Sequence, residues 1–123
     1  MKALVVDDSA VMRKVLTGAL DRCGIKEVTH AADGQEAVDA VTVREFDIVL
    51  MDCNTPVMSG IDAVRELRAM GKTMPIVMVT TEAEKEQVFE ALKSGATHFI
   101  IKPFEPATIV TKIKEVIEMA GAS

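Results

Sequence analysis

The sequence has no Trp and no Tyr, and four Phe are its only aromatic residues, which leaves the core to aliphatic side chains. It is short of positive charge: fourteen Lys plus Arg face nineteen Asp plus Glu, for a net charge of −5. An acidic domain repels phosphate backbones, which argues against nucleic acid as a partner. Long hydrophobic runs are missing as well. The longest span four residues, Ala3 to Val6, Ile48 to Met51 and Ile76 to Val79, far below the roughly 20 needed to cross a bilayer. The first of them runs straight into Asp7-Asp8, so it cannot serve as a signal-peptide core. Cys23 and Cys53 match no disulfide or metal spacing, and the chain reads as cytoplasmic and reduced. There is no linker, low-complexity tract or repeat, and 123 residues suit one domain over 1–123. Such a chain buries about two-thirds of its surface on folding, enough for a core without staples.

What is there is a rhythm. Ala3–Asp7, Glu27–Ala31, Asp47–Met51, Pro75–Val79 and His98–Ile101 read as short strands rich in Val and Ile. Most lack polar alternation, as strands buried on both faces do; Glu27-Val28-Thr29-His30 alternates and suits an edge. Between them lie stripes of helical period. Val11, Val15, Leu16, Ala19 and Leu20 form one, Ala37, Val38 and Val41 another, and Ala63, Val64 and Leu67 a third. Phe89 and Leu92 make the fourth, core-facing, and Ile109, Ile113, Val116 and Ile117 the last. Asp33 to Glu36 and Thr81 to Glu84 have capping-box form, and Pro106 suits a first helical position. Gly24, Gly71, Gly95 and Gly121 each follow a stripe, as helix C-caps do. Alternation of this kind predicts an α/β fold, a parallel sheet with helices on both faces.

In a parallel sheet all strands end on one edge, so the residues just past them converge. Those residues are Asp7-Asp8, Asp52, Thr80-Thr81 and Lys102-Pro103. Three carboxylates in one crevice repel unless a cation joins them, and a hard oxygen-liganded ion such as Mg²⁺, with Mn²⁺ as a substitute, suits them. An Asp carboxylate can attack phosphorus to form an acyl phosphate. A metal, Lys102 and the Thr80 hydroxyl could then each meet an equatorial oxygen. Singly, each residue has an ordinary explanation: Asp8 or Ser9 as a helix cap, Asp52 in a turn, Lys102 in solvent, Thr81 as an N-cap. One phosphorylation site explains all four strand ends together.

The strings Val5-Val6-Asp7-Asp8-Ser9, Met51-Asp52 through Ser59-Gly60, Val79-Thr80-Thr81 and Ile101-Lys102-Pro103-Phe104 resemble the receiver domain of two-component response regulators. The likeness runs from Lys2 to the fifth helical stripe, and the opening Asp7 to Arg13 resembles the single-domain chemotaxis (CheY-like) type, without an output domain. This resemblance implies a flavodoxin-like fold with strand order 2-1-3-4-5. It implies Asp52 as phosphoacceptor, Asp7, Asp8, Asp52 and the Asn54 backbone carbonyl as Mg²⁺ ligands, and Lys102 pairing with Asp52 and then with the phosphoryl group. It further implies Thr80 and Phe99 as the switch pair, a cis bond before Pro103, and Asn54, Thr81 and Glu82 as residues tuning phosphoryl access and hydrolysis. Lys85, Val88, Phe99, Ile101 and Lys112 are the residues expected on the partner surface.

The resemblance implies a cytoplasmic monomer that takes its phosphoryl group from a histidine kinase of chemotaxis type. Its output would be a downstream target, such as a flagellar motor switch component or a phosphatase. Such a protein is a phosphoacceptor switch rather than an enzyme. A phosphorelay intermediate serving a histidine phosphotransfer protein fits the same residues. A Mg²⁺-dependent phosphohydrolase is disfavoured because the chain has no substrate-binding cap, and a flavin carrier because Asp7-Asp8 would meet its phosphate. Phe99 stands where Tyr is commoner and Thr81 where a smaller residue is usual, while Thr55 replaces an apolar residue before Pro56. Cys53 reads as a small apolar residue, and His30 and His98 as neither metal ligands nor phosphoryl carriers.

Overall fold

A computed structural model describes residues 1–121; residues 122–123, part of the domain range expected from the sequence, lie outside the described residues. Five strands, β1 (Lys2–Val6), β2 (Glu27–Ala31), β3 (Ile48–Asp52), β4 (Ile76–Thr81) and β5 (His98–Lys102), alternate with helices α1 (Ala10–Arg22), α2 (Gly34–Val43), α3 (Gly60–Ala69), α4 (Lys85–Lys93) and α5 (Pro106–Gly121). A 3-10 turn over Glu82–Glu84 precedes α4. All pairings are parallel, in the order β2-β1-β3-β4-β5, with the alternating strand β2 at an edge. Strand ends differ by one or two residues from the sequence expectation, as at Thr80 and Thr81, which belong to β4.

The four-residue apolar runs are explained by the two cores. Leu4, Val6, Val49, Met51, Ile76 and Met78 point to one face, under α2, α3 and α4. Ala3, Val5, Ile48, Leu50, Val77 and Val79 point to the other, under α1 and α5. Strand side chains alternate faces, so a strand covered on both sides must be apolar at every position.

Two stripes read differently in the structure. Val11 and Val15 are exposed; α1 meets the sheet through Leu16, Ala19 and Leu20, with Met12 packed beside them. On α4 the core residues are Val88, 2% exposed, and Ala91, whereas Phe89 stands 60% exposed. The burial of Val88 removes it from the partner surface expected from the sequence, while its neighbour Phe89 is open to solvent. Adjacent apolar residues on a helix lie about 100° apart, so which of two neighbours faces the core is decided by packing. Ser9, Asp33 and Ser59 cap α1, α2 and α3 by accepting the backbone N–H three residues on. Gly24, Gly71 and Gly95 follow their helices at positive φ, while Gly121 closes α5 from within it.

Candidate functional site

The chain turns from β1 outward in both directions, to β2 and to β3, so a crevice opens at the C-terminal ends of β1 and β3. Asp7 follows β1 directly, and Asp52 is the last residue of β3. Asp7 is 1% and Asp52 7% exposed, while Asp8 is open to solvent. One carboxylate oxygen from each of Asp7, Asp8 and Asp52 lies within 4.8 Å of the other two. Ser9 takes the capping role, which leaves Asp8 to the cluster. The Ser9 N–H donates to Asp7 Oδ1 at 2.9 Å, and Arg13 Nη1 donates to the Asp7 carbonyl at 2.7 Å, so the β1–α1 junction is held at two points.

Lys102 Nζ reaches in from the end of β5, 3.1 Å from Asp7 Oδ2 and 3.8 Å from Asp52 Oδ1. It lies nearer Asp7 than the pairing with Asp52 implied by the resemblance. Burial pushes the Asp52 carboxyl from 3.8 up to about 6; Lys102 draws it back, Asp7 raises it further, the Asn54 N–H lowers it, and Glu84 raises it. Three carboxylates against one ammonium leave the crevice two charges negative, which a single divalent cation would balance. The all-oxygen donor set fits Mg²⁺.

Thr80 is wholly buried; its hydroxyl donates to the Thr81 carbonyl over a long 3.4 Å and also bonds the Cys53 thiol. Strand parity places it on the face of Ile76 and Met78, where Phe99 also packs. The Lys102–Pro103 bond is cis. Cys53 is fully buried in the same core, and burial raises its thiol to about 11, with the Thr80 hydroxyl acting the other way. A thiol so raised is inert at neutral pH, in keeping with a packing role. Thr55, polar where an apolar residue is usual, is accounted for: its hydroxyl donates to the Met58 carbonyl at 2.6 Å and closes the β3–α3 loop.

Glu82 pairs with Lys85 in solvent at 3.6 Å and is not drawn into the crevice. The residue that is drawn in is Glu84, which sequence reasoning placed only in a capping box. Glu84 Oε1 accepts from the Thr81 hydroxyl at 2.7 Å and the Thr81 N–H at 3.2 Å, while Oε2 accepts from the Asn54 side-chain amide. Of the expected partner surface, Lys85 is exposed and Phe99, Ile101 and Lys112 are half-buried. His98 lies beside Lys112, whose Nζ is 3.3 Å from its Nε2, and His30 beside Thr17. Among the described residues no helix is long and apolar enough to cross a membrane.

The profile of the response regulator receiver domain matches residues 3–114. A chemotaxis protein CheY homolog of Campylobacter jejuni is 42% identical over 120 residues, covering 95% of this chain and 92% of its own length. Chemotaxis protein CheY1 of Helicobacter pylori is 39% identical, covering 95% and 97%. The solved structure of the Vibrio cholerae chemotaxis response regulator CheY4 superposes with a TM-score of 0.84 at 38% identity, over 94% of this chain and 97% of that one.

Proposed function

This chain belongs to the response regulator receiver domain family, in its CheY-like branch, and on that premise we propose that Asp52 accepts a phosphoryl group from a histidine kinase. The observation that carries the reading is the crevice itself: three carboxylate oxygens within 4.8 Å and a lysine spanning Asp7 and Asp52. Attack by an Asp52 oxygen on phosphorus breaks the P–N bond of a phosphohistidine; the P–N electron pair stays on the ring, which leaves as neutral imidazole keeping the proton already on its other nitrogen, and an acyl phosphate remains. Asp7, Asp8 and Asp52, with the Asn54 carbonyl, would hold Mg²⁺, which when bound supplies positive charge against the phosphoryl oxygens. Lys102 supplies the protein's own charge at the same oxygens.

The Thr80 hydroxyl, at the end of β4 beside the crevice, is the group best placed to turn toward a new phosphoryl oxygen. Phe99, on the same sheet face, would follow into the room it leaves. That movement alters the surface of α4, β5 and α5, where Lys85, Phe89, Ile101 and Lys112 stand. A partner there shifts the switch only by binding the two forms unequally. The names of the Campylobacter and Helicobacter relatives support a chemotaxis setting, with a motor switch component or a phosphatase as the target and a cytoplasmic monomer as the working form. The chemistry runs on the chain itself, as a phosphoacceptor rather than an enzyme.

A chemotaxis-type histidine kinase, autophosphorylated with labelled ATP, is expected to pass its label to the wild type and not to Asp52→Asn. Stoichiometric labelling of the variant overturns the acceptor assignment. Rapid onward transfer to a histidine phosphotransfer domain, without phosphorylation-dependent binding to a motor component, would make the chain a relay intermediate.

A further inference from the structure

Glu84 ties together two segments that are remote in sequence. Its carboxylate joins Thr81, at the end of β4, to Asn54, two residues beyond Asp52 in the β3–α3 loop. The carboxylate is thereby anchored on both oxygens at the rim of a crevice that already holds Asp7, Asp8 and Asp52. Anchoring matters because a free Glu side chain swings away in solvent and its charge is screened; one fixed by three hydrogen bonds acts at a constant place. Anything reaching Asp52 with a phosphoryl group is itself an anion, and a fourth carboxylate fixed beside the crevice repels it.

We propose that Glu84 is a positioning residue that gates phosphoryl uptake, holding a negative charge and the Asn54 amide across the mouth of the site. The inference rests on Asp52 being the acceptor. It separates two effects that Glu84 has at once. The cap on Thr81 needs only an acceptor oxygen, which Gln also offers. The gate needs the charge.

Glu84→Gln therefore keeps the link, since Gln accepts from Thr81 through its oxygen and a turned Asn54 amide can accept from its NH₂. Its rate of phosphorylation by acetyl phosphate in Mg²⁺ is expected to rise about 3- to 10-fold over wild type at low ionic strength. The gain should shrink as salt is added and be smaller with the less anionic donor phosphoramidate. A purely structural role for Glu84 would produce neither dependence. Glu86→Gln makes an equal change in net charge on an exposed residue of α4 and is expected to stay within about twofold of wild type.

Wild-type labelling at Asp52 with Glu84→Gln unchanged in rate and salt dependence overturns the gate and leaves the acceptor assignment standing. An equal gain in Glu86→Gln overturns it too, since position would not matter. A wild type that takes no phosphoryl group overturns both.

Discussion

Replacing Gly60 by Ala is expected to cost about 3 kcal/mol of stability and lower the melting temperature by about 10 °C. Gly60 is the first residue of α3, and its N–H donates to the Cys53 carbonyl at 2.9 Å. A Cβ there would overlap the Asp52 carbonyl oxygen and lie 2.9 Å from the Asp52 carbonyl carbon and 3.1 Å from the Cys53 Cα. All three obstacles are backbone, so no side chain can swing aside. The strand end carrying Asp52 must shift or α3 must lift, and either movement disturbs the crevice, so Mg²⁺ affinity should fall with stability. Gly18 supplies the internal control. It sits within α1 with nothing inside 4 Å of a built Cβ, and Gly18→Ala should stabilise by about 0.5–1 kcal/mol through helix propensity. Urea unfolding of the two variants should thus give opposite signs. Gly60→Ala within about 0.5 kcal/mol of wild type would show that the close approach is not a constraint.

Asp52→Asn is expected to be more stable than wild type at pH 7 in the presence of a chelator. Burial is the main cause of the rise of the Asp52 carboxyl from 3.8 to about 6. The folded protein therefore binds a proton that the unfolded chain, at an ordinary carboxylate value, has already released. Between those values the native state holds more protons, so stability falls as pH rises. The favourable contribution is fully present below about pH 4 and lost as pH passes about 6, a loss of at most about 3 kcal/mol by linkage. Asn keeps the shape, and its carbonyl can still accept from the Asn54 N–H that now donates to Oδ1 at 3.4 Å. Lys102 keeps Asp7. A gain of about 1–3 kcal/mol at pH 7, shrinking toward zero at pH 4, should appear in denaturation midpoints. Mg²⁺ should stabilise wild type by mass action and the variant much less. A variant less stable than wild type at pH 7, with a gap unchanged at pH 4, would contradict the reading of a costly buried charge.

The parts of the site that follow strand ends were legible in the sequence. Asp7, Asp52, Thr80 and Lys102 are placed by a parallel sheet whatever the details of packing, and a slip of one residue in a strand boundary leaves them on the same edge. The edge position of β2 followed from its alternation. Helix faces were less legible. Val88 and Phe89 are neighbours of similar polarity, and the choice between them depends on how the turn at Glu82–Glu84 delivers the chain into α4. Val11 and Val15 continue the apolar stripe of α1 in the sequence, yet both face solvent, because packing of Leu16, Ala19 and Leu20 sets which side of α1 meets the sheet. Val57 adopts φ 68 in the β3–α3 loop, a conformation that its β-branched side chain gives no reason to expect. Glu84 was visible as a capping residue, but its reach to Asn54 links positions thirty apart in sequence, and no local pattern reports that.

The central claim is that Asp52 takes the phosphoryl group in a metal-dependent way. Intact mass after incubation with acetyl phosphate, with and without Mg²⁺, tests it on wild type and Asp52→Asn. The account predicts one phosphoryl adduct on wild type, dependent on Mg²⁺ and absent from the variant. Should hydrolysis outrun detection, beryllofluoride, which mimics the acyl phosphate, is expected to bind wild type alone. An adduct of equal stoichiometry on the variant, or a wild type that neither takes the group nor binds beryllofluoride, would contradict it.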